Sequence, residues 1–288
     1  FGSKKTNIFF KIKSKFGEAK ALKILQHTGP KIIYSTKDNE DSVSLSVKAC
    51  RKINIDKKVK NIIFVSQNTK HKFPGNSSVL LSQIKNNSIN KSFDINAGCT
   101  GFIDALEIAN NLMGDTLIIT SETYNKNIKL FNRSISTIFA DAAAAFIFKK
   151  KDYKNLKFVS GINAKDYKNL MCDHNKDMFM NGAEVFQYVK NEVYPEFIKF
   201  LIENKKNVKA IFIHQGSKLV TDFFREKIKK YKINIPTNIL SRGNTVSATI
   251  PILMYDYEKK NRIIGKDKII LCGFGVGLSY KICLMEMK

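Results

Sequence analysis

The sequence contains no tryptophan, few cysteines and no long apolar run. The five cysteines are widely spaced, without a CxxC pair or histidines at metal-binding spacing, which argues against a zinc site. All of them except Cys99 are expected to be reduced packing residues. The longest apolar stretches, residues 142–148 and 268–278, are too short to span a bilayer, and no signal peptide is recognised. These absences predict a soluble, cytoplasmic protein.

Acidic residues are also scarce: 25 Asp and Glu stand against 49 Lys and Arg, which gives a formal net charge of +24. The lysines are scattered over loops and helix ends rather than clustered on one motif, and no helix-turn-helix, zinc finger or aromatic-basic RNA motif accompanies them. We therefore do not expect nucleic-acid binding. A basic surface does attract acidic partners, including phosphate-bearing cofactors or a small acidic carrier protein.

Strand-like and helix-like runs alternate along the 288 residues. Expected strands include residues 6–12, 61–66, 115–122, 142–148 and 208–214. A helix is expected from Asp41 through Arg51, with Asp41 or Ser42 as its cap. The pattern restarts after a polar hinge near residues 149–156. We therefore expect an N-terminal half (1–149) and a C-terminal half (150–288), each with the order βαβαβαββ and a mostly parallel sheet. A ligand site is expected where strand ends of both halves meet.

Cys99 follows an alternating strand and Gly98, and it precedes a long amphipathic run that predicts a helix. A cysteine in such a place is commonly a small core residue. At a helix N-terminus, however, free N–H groups and the helix dipole favour the thiolate, which is the nucleophilic form. A nucleophile would need polar partners nearby.

Two other junctions between predicted elements carry polar side chains that could act together with Cys99. His214 ends the apolar strand in FIHQGS, and Asn244 follows Gly243 in RGNTVSATIP, where we expect it at the start of the next helix. Either residue alone is more simply explained as structural, the asparagine as an N-cap. Their occurrence together with Cys99 favours a three-residue site.

The segments AGCTGF, NRSISTIFADAAAA, NGAEVF, FIHQGS, RGNTVSATIP and GFGVGLSY, in this order and at nearly this spacing, resemble the motifs of β-ketoacyl-acyl carrier protein (ACP) synthase III, a condensing enzyme of fatty-acid biosynthesis. The similarity extends from His27 to the C-terminus. It implies an α/β, thiolase-like fold with layers in the order αβαβα, a transferase of lipid metabolism and a homodimer. No permanently bound cofactor and no metal are implied. Acyl-CoA or acyl-ACP and malonyl-ACP would be the substrates, with ACP as partner.

The resemblance assigns Cys99 as the acylated nucleophile. It implies that His214 and Asn244 stabilise the enolate formed when the malonyl unit loses carbon dioxide. The backbone N–H groups of Cys99 and Val276 would bind the oxyanion; the family usually has glycine at the position of Val276. Further positions match substrate-binding residues: Phe73 an aromatic that enters the partner's acyl pocket, Arg133 an arginine that stacks on the CoA adenine, and Met180, Gly182, Phe186, Ser217, Val220 and Phe274 the acyl-pocket lining.

Several family residues are replaced. The adenine-stacking tryptophan corresponds to Lys23, a neighbouring arginine to His27, and the arginine after the HQ motif to Leu219. Losing a planar stacking group and a bidentate phosphate donor weakens the case for an acyl-CoA donor without removing it. Two alternatives stay open at this point: acyl transfer from Cys99 to an oxygen or nitrogen nucleophile without decarboxylation, and a non-catalytic protein whose basic face binds an acidic partner.

Overall fold

A computed structural model describes residues 1–128, 131–173, 177–261 and 267–288. The strands in these ranges are β1 (Lys4–Asn7), β2 (Ile32–Ser35), β3 (Val59–Val65), β4 (Lys91–Ile95), β5 (Asp115–Glu122), β6 (Ala142–Phe148), β7 (Tyr153–Ile162), β8 (Leu170–Met171), β9 (Phe179–Met180), β10 (Val208–Ile213), β11 (Lys268–Gly275) and β12 (Ser279–Met287). The α-helices are α1 (Ile8–Phe16), α2 (Glu18–Thr28), α3 (Ser42–Cys50), α4 (Asn76–Ile84), α5 (Gly101–Asn111), α6 (Gly182–Tyr188), α7 (Tyr194–Asn204), α8 (Lys218–Ile228), α9 (Ile239–Arg242) and α10 (Thr249–Asn261).

Two four-stranded sheets organise the chain, in the orders β4-β3-β5-β6 and β10-β11-β12-β7. In the first sheet β4, β3 and β5 are parallel and β6 is antiparallel, as expected. In the second sheet only the β10–β11 pair is parallel, so the expectation of a mostly parallel sheet is wrong there. The reason is local, because the short connection between β11 and β12 can join only antiparallel neighbours.

The sheets and helices stack in five layers. Helices α3 and α4 cover the outer face of the first sheet, and α7 and α8 cover the outer face of the second. Helices α5 and α10 lie between the sheets, where Phe102, Leu106, Ile250 and Leu253 pack against both. This is the αβαβα order expected from the sequence, and it brings the N-terminus of α5 close to the ends of β10 and β11.

Local sequence explains several of these elements. Asp41 caps α3: its carboxylate accepts the Ser44 N–H at 2.7 Å, and the Ser44 hydroxyl accepts the Asp41 N–H at 2.8 Å. Strands β5 and β6 have the predicted bounds. The predicted strand over residues 6–12 is wrong, because α1 begins at Ile8. Ile8 and Ile12, one helical turn apart, are both buried.

Three further expectations concern the cysteines, membrane-spanning helices and the division of the chain. Among the cysteines outside the site, Cys50, Cys272 and Cys283 are buried, as expected, whereas Cys172 is exposed because it follows the short strand β8 at the surface. No helix within the described ranges is both long and apolar enough to cross a membrane. The strands of the first sheet all end by Phe148 and those of the second all begin after it. The division of the chain into 1–149 and 150–288 stays a prediction.

Candidate active site

Cys99 lies in a single 3-10 turn, Gly98–Thr100, between β4 and α5. Gly98 has φ +50°, and a Cβ there would lie 2.7 Å from Gln67 Oε1, so the turn requires glycine. The Cys99 side chain is buried, with 4% of its surface exposed. The turn therefore directs the thiol inward, at the N-terminal end of α5.

The end of β11 passes very close to this thiol. A Cβ on Gly275 would lie 2.7 Å from Cys99 Sγ, closer than any side chain allows. The backbone N–H groups of Val276 and of Cys99 itself both donate to the sulfur. The two N–H groups predicted to bind an oxyanion thus converge on the Cys99 sulfur.

The surroundings of Cys99 disfavour the thiolate. Burial and the nearby charge of Glu122 raise the pKa of Cys99 to about 12, against which the two N–H groups act only partly. The backbone N–H of Cys99, at the start of the helical segment, favours the thiolate as expected, but burial outweighs it. For Cys99 to act as a nucleophile, its proton would have to leave during the reaction.

His214 follows β10 and is anchored on both sides. Its backbone N–H donates to the backbone carbonyl oxygen of Cys272 at 2.8 Å, and its ring lies edge-on to the ring of Phe274, with the two centroids 5.4 Å apart. Its Nδ1 lies 2.7 Å from Thr249 Oγ1. Burial lowers the pKa of His214 to about 3, so the ring is neutral near pH 7.

Asn244 is not the start of a helix, as was expected from its place after Gly243; α10 begins only at Thr249. Its backbone pairs instead with the first half: its N–H donates to Ile138 O at 2.9 Å, and its carbonyl accepts from Ala140 N at 2.8 Å. Its Oδ1 accepts the Val246 N–H at 2.8 Å, which leaves Nδ2 to donate, at present to Gly216 O at 3.2 Å. Tertiary backbone bonds thus position the main chain of Asn244, and a local, cap-like bond to the 3-10 turn Val246–Ala248, which leads into α10, orients its side chain.

Cys99, His214 and Asn244 line one cavity of about 530 Å³. Seven other predicted residues line it too: Met180, Gly182, Phe186, Ser217, Val220, Phe274 and Val276. We refer to it as the main cavity. Three of its lining residues, His27, Thr28 and Leu219, are exposed or half-buried, and we refer to them as its mouth; its walls are mainly apolar. The structure therefore brings together most of the residues singled out in the sequence.

Two predicted residues lie elsewhere. Arg133 lines a separate basic pocket of about 350 Å³ together with Lys20 and Lys23, and this pocket shares His27 and Thr28 with the mouth of the main cavity. Phe73 is not part of the main-cavity lining, and 79% of its surface is exposed.

Sequence reasoning missed four residues at the site. Thr249 contacts His214, and Tyr124 lines the main cavity. Gln67 accepts a hydrogen bond from the Tyr124 hydroxyl, and buried Glu122 accepts bonds from Gln67 N at 3.0 Å and Ser247 Oγ at 2.9 Å. Burial raises the pKa of Glu122 to about 8. The one signal available was that Glu122 is a carboxylate at the end of an otherwise buried strand.

The described residues contain no group of three or more His, Cys, Asp or Glu side chains arranged to hold a metal ion.

Family models match two parts of the chain. Residues 93–164 match 3-oxoacyl-[acyl-carrier-protein] synthase III, and residues 203–287 match the C-terminal part of the same family. Together these ranges include Cys99, His214 and Asn244. A β-ketoacyl-[acyl-carrier-protein] synthase III from Clostridium botulinum strain Loch Maree is 30% identical, with 81% of this chain and 78% of the relative aligned. The chain belongs to the β-ketoacyl-ACP synthase III family.

Two further proteins named as synthase III are similar to this chain. The synthase III from Clostridium botulinum strain Kyoto is 32% identical, in an alignment that spans 65% of this chain and 65% of that relative, just under two thirds of its length. A crystal structure of a 3-oxoacyl-(acyl-carrier-protein) synthase III superposes with a TM-score of 0.90, covering 100% of this chain and 97% of that one, at 22% identity. This likeness establishes the thiolase-like fold of the synthase III family.

Proposed function

We propose that the protein is a β-ketoacyl-ACP synthase III type acyltransferase, which condenses an acyl thioester with malonyl-ACP and releases carbon dioxide. The observation that carries the proposal is the convergence of the Cys99 thiol, His214 and Asn244 in the main cavity, with two backbone N–H groups on the sulfur. Membership of the family supports the same reaction.

In the first half-reaction, Cys99 Sγ attacks the carbonyl carbon of the acyl thioester. The N–H groups of Cys99 and Val276 stabilise the oxyanion that forms. The donor's carbon–sulfur bond then breaks, and the proton lost by Cys99 leaves with the donor thiol. The product is an acyl-Cys99 thioester, which divides one difficult transfer into two steps.

In the second half-reaction, the malonyl thioester oxygen accepts hydrogen bonds from His214 Nε2–H and Asn244 Nδ2–H. The electrons of the bond to the carboxylate move into an enolate as carbon dioxide departs, and the two donors stabilise the negative charge that appears only then. The enolate carbon attacks the acyl-Cys99 carbonyl, the carbon–sulfur bond breaks, and the Cys99 thiolate takes up a proton from the solvent.

A neutral His214 suits this role. A cationic ring would have to be kept charged inside a buried site, whereas burial holds the pKa of His214 far below neutrality. The neutral ring donates from Nε2 when its Nδ1 accepts the Thr249 hydroxyl proton, and these two atoms are 2.7 Å apart. A neutral donor also loses no proton when the enolate forms.

The basic pocket supports a phosphate-bearing thiol arm as the part of the substrate outside the main cavity. Lys20, Lys23 and Arg133 lie beside the shared mouth residues His27 and Thr28. Coenzyme A and acyl carrier proteins both carry phosphate on this arm, and ammonium groups bind phosphate without needing an aromatic plane. Because the aromatic plane is missing, we propose ACP as the principal partner, with acyl-CoA as a weaker donor.

The remaining expectations are parts of the same proposal. Exposed Phe73 is proposed to enter the cavity of a second protomer in a homodimer, and the reaction is proposed to serve fatty-acid biosynthesis in the cytoplasm. The net charge of +24 favours association with an acidic carrier protein.

The test is intact-protein mass spectrometry after incubation with acyl-ACP or acyl-CoA. The wild-type protein and Cys172→Ala, in which an exposed thiol outside the cavity is removed, should gain the mass of one acyl group, and Cys99→Ala should not. Release of labelled carbon dioxide from malonyl-ACP then separates condensation from simple acyl transfer. An acylated Cys99→Ala protein would show that the assignment of the nucleophile is wrong.

A further inference from the structure

Lys281 carries a charge into the apolar layer between the two sheets. It lies on β12, and only 9% of its surface is exposed. Side chains alternate along a strand, so Lys281 shares its face of β12 with Cys283 and Met285, which both pack between the sheets. A charge in such a place is stable only with partners of opposite charge.

Two carboxylates of α5 are these partners. The Lys281 ammonium donates to Asp104 Oδ1 at 2.8 Å and also pairs with the carboxylate of Glu107. Burial lowers the pKa of Lys281, but the hydrogen bonds to Asp104 and Glu107 raise it above its ordinary value, so the side chain is charged. Both carboxylates lie in the first two turns of α5, the helix that follows Cys99. The ammonium therefore joins β12 to the start of this helix.

The ion pairs lie beside the place where β11 passes the Cys99 turn. Lys281 is the cross-strand partner of Gly273 in β11. A Cβ on Gly273 would lie 2.8 Å from Cys99 O, and a Cβ on Gly275 would lie 2.7 Å from Cys99 Sγ. The next residue, Val276, donates its N–H to the sulfur. The same pair of strands thus carries both the buried ammonium and the oxyanion donor, and we call β11, β12 and the turn between them (276–278) the C-terminal hairpin.

We propose that Lys281 is a positioning residue for acyl-enzyme formation, because its ion pairs to Asp104 and Glu107 hold the C-terminal hairpin against α5. The contact keeps the Val276 N–H at the distance from Cys99 that oxyanion binding requires. This inference rests on the proposed function. Without the ammonium, two half-buried carboxylates would repel each other, and the hairpin would lose its charged link to the helix. A misplacement of about 1 Å can reduce the rate of a positioned reaction by about a hundredfold.

The experiment compares two reactions of the same thiol, each measured at Cys99 by peptide mass spectrometry. Attack on the thioester of acetyl-ACP forms an oxyanion, which the Val276 N–H stabilises. Alkylation by iodoacetamide forms a bond from the sulfur to the methylene carbon as iodide leaves, and no oxyanion appears. Both reactions require the thiolate, so the ratio of the acetylation rate to the alkylation rate reports the oxyanion donors.

Three variants test the role of the charge. Lys281→Met keeps most of the side-chain volume without the ammonium, and its ratio should fall by about tenfold or more. Lys281→Arg keeps a cation for both carboxylates and should stay within about threefold of the wild-type ratio. Lys48→Met is the matched control: it removes the ammonium that pairs with buried Glu40, away from the main cavity, and should leave the ratio unchanged.

The outcomes separate this inference from the proposed function. Failure of acetyl-ACP and acetyl-CoA to acylate the wild-type protein would overturn the proposed function itself. If the wild-type protein is acetylated but a folded Lys281→Met protein has the wild-type ratio, even with both rates lowered, only the positioning role is overturned. Should Lys281→Met not fold, Asp104→Asn decides, because it leaves Lys281 paired with Glu107. Its ratio should fall by about threefold or more, and an unchanged ratio would overturn the inference equally.

Discussion

A single hydroxyl decides whether His214 offers the cavity a donor or an acceptor. Thr249 Oγ1 lies 2.7 Å from His214 Nδ1 and 3.0 Å from Val246 O, and it has one proton to give. Donated to Nδ1, that proton leaves Nε2 protonated and able to bind the thioester oxygen. Donated to Val246, it leaves Nδ1 protonated and Nε2 bare. We infer that Thr249 is a positioning residue for the decarboxylation step.

Replacing Thr249 with valine should therefore reduce decarboxylation. Valine has nearly the same shape but no hydroxyl, so His214 Nδ1 loses the partner that fixes the ring, and carbon dioxide release from malonyl-ACP should fall by about tenfold or more. Thr249→Ser restores the hydroxyl and should recover most of the rate. If Thr249→Val released carbon dioxide at the wild-type rate, the hydroxyl would not control the histidine tautomer.

At the scale of the element, the end of β11 is shaped by its contact with Cys99. Gly275 lets the backbone approach the thiol, and the following residue, Val276, places its N–H on the sulfur. The valine side chain is of no consequence for this contact, because a backbone N–H is the donor. Glycine is required at position 275 and not at 276.

Gly275→Ala should displace the strand end from the thiol. Its Cβ would lie 2.7 Å from Cys99 Sγ, so the Val276 N–H would move away, and the rate of acyl-enzyme formation should fall by about a hundredfold. Overpacking of this kind costs about 1–3 kcal/mol in the free energy of unfolding. Thermal unfolding of the variant distinguishes a displaced strand from an unfolded protein. A folded Gly275→Ala protein that is acylated at the normal rate would argue against an oxyanion site here.

Some elements and site residues could be predicted from the sequence, and others could not. Strand β5 and the Asp41 cap depend on local pattern and were predicted correctly. Helix α1 was missed because its run of isoleucine and phenylalanine also suits a strand, and only packing decides between them. Cys99, His214 and Asn244 lie at junctions between elements that the sequence pattern indicates. Tyr124 and Thr249 are part of the site through their contacts with Gln67 and His214, which no local pattern predicts.

At the scale of the whole molecule, the site exists only because segments far apart in the sequence meet. Asn244 is held by backbone bonds to Ile138 and Ala140. Ser247 donates to Glu122 at 2.9 Å, where the carboxylate also accepts from Gln67 N. Glu122 thus connects the segment that carries Asn244 to Gln67, which accepts a hydrogen bond from the Tyr124 hydroxyl. A change in the protonation of Glu122 therefore alters its hydrogen bonds to both segments.

The burial of Glu122 predicts how the stability of the molecule depends on pH. Its pKa is raised to about 8 in the folded chain, from an ordinary value of 4.5. Between these values the folded chain binds more protons than the unfolded chain, so the free energy of unfolding should fall as the pH rises through this range and level off above about 8. The contribution of one group cannot exceed about 1.4 kcal/mol per pH unit.

Denaturant unfolding of the wild-type protein and Glu122→Gln at a series of pH values tests this. Glutamine keeps the acceptor for Ser247 but cannot ionise, so the variant should lack this part of the decline and should gain stability relative to the wild-type protein as the pH rises from about 5 to about 8. All other titrating groups are common to both proteins, so the difference between the two curves isolates Glu122. Parallel curves over this range would mean that Glu122 is ionised in the folded protein throughout, held as a carboxylate by the hydrogen bonds from Gln67 and Ser247.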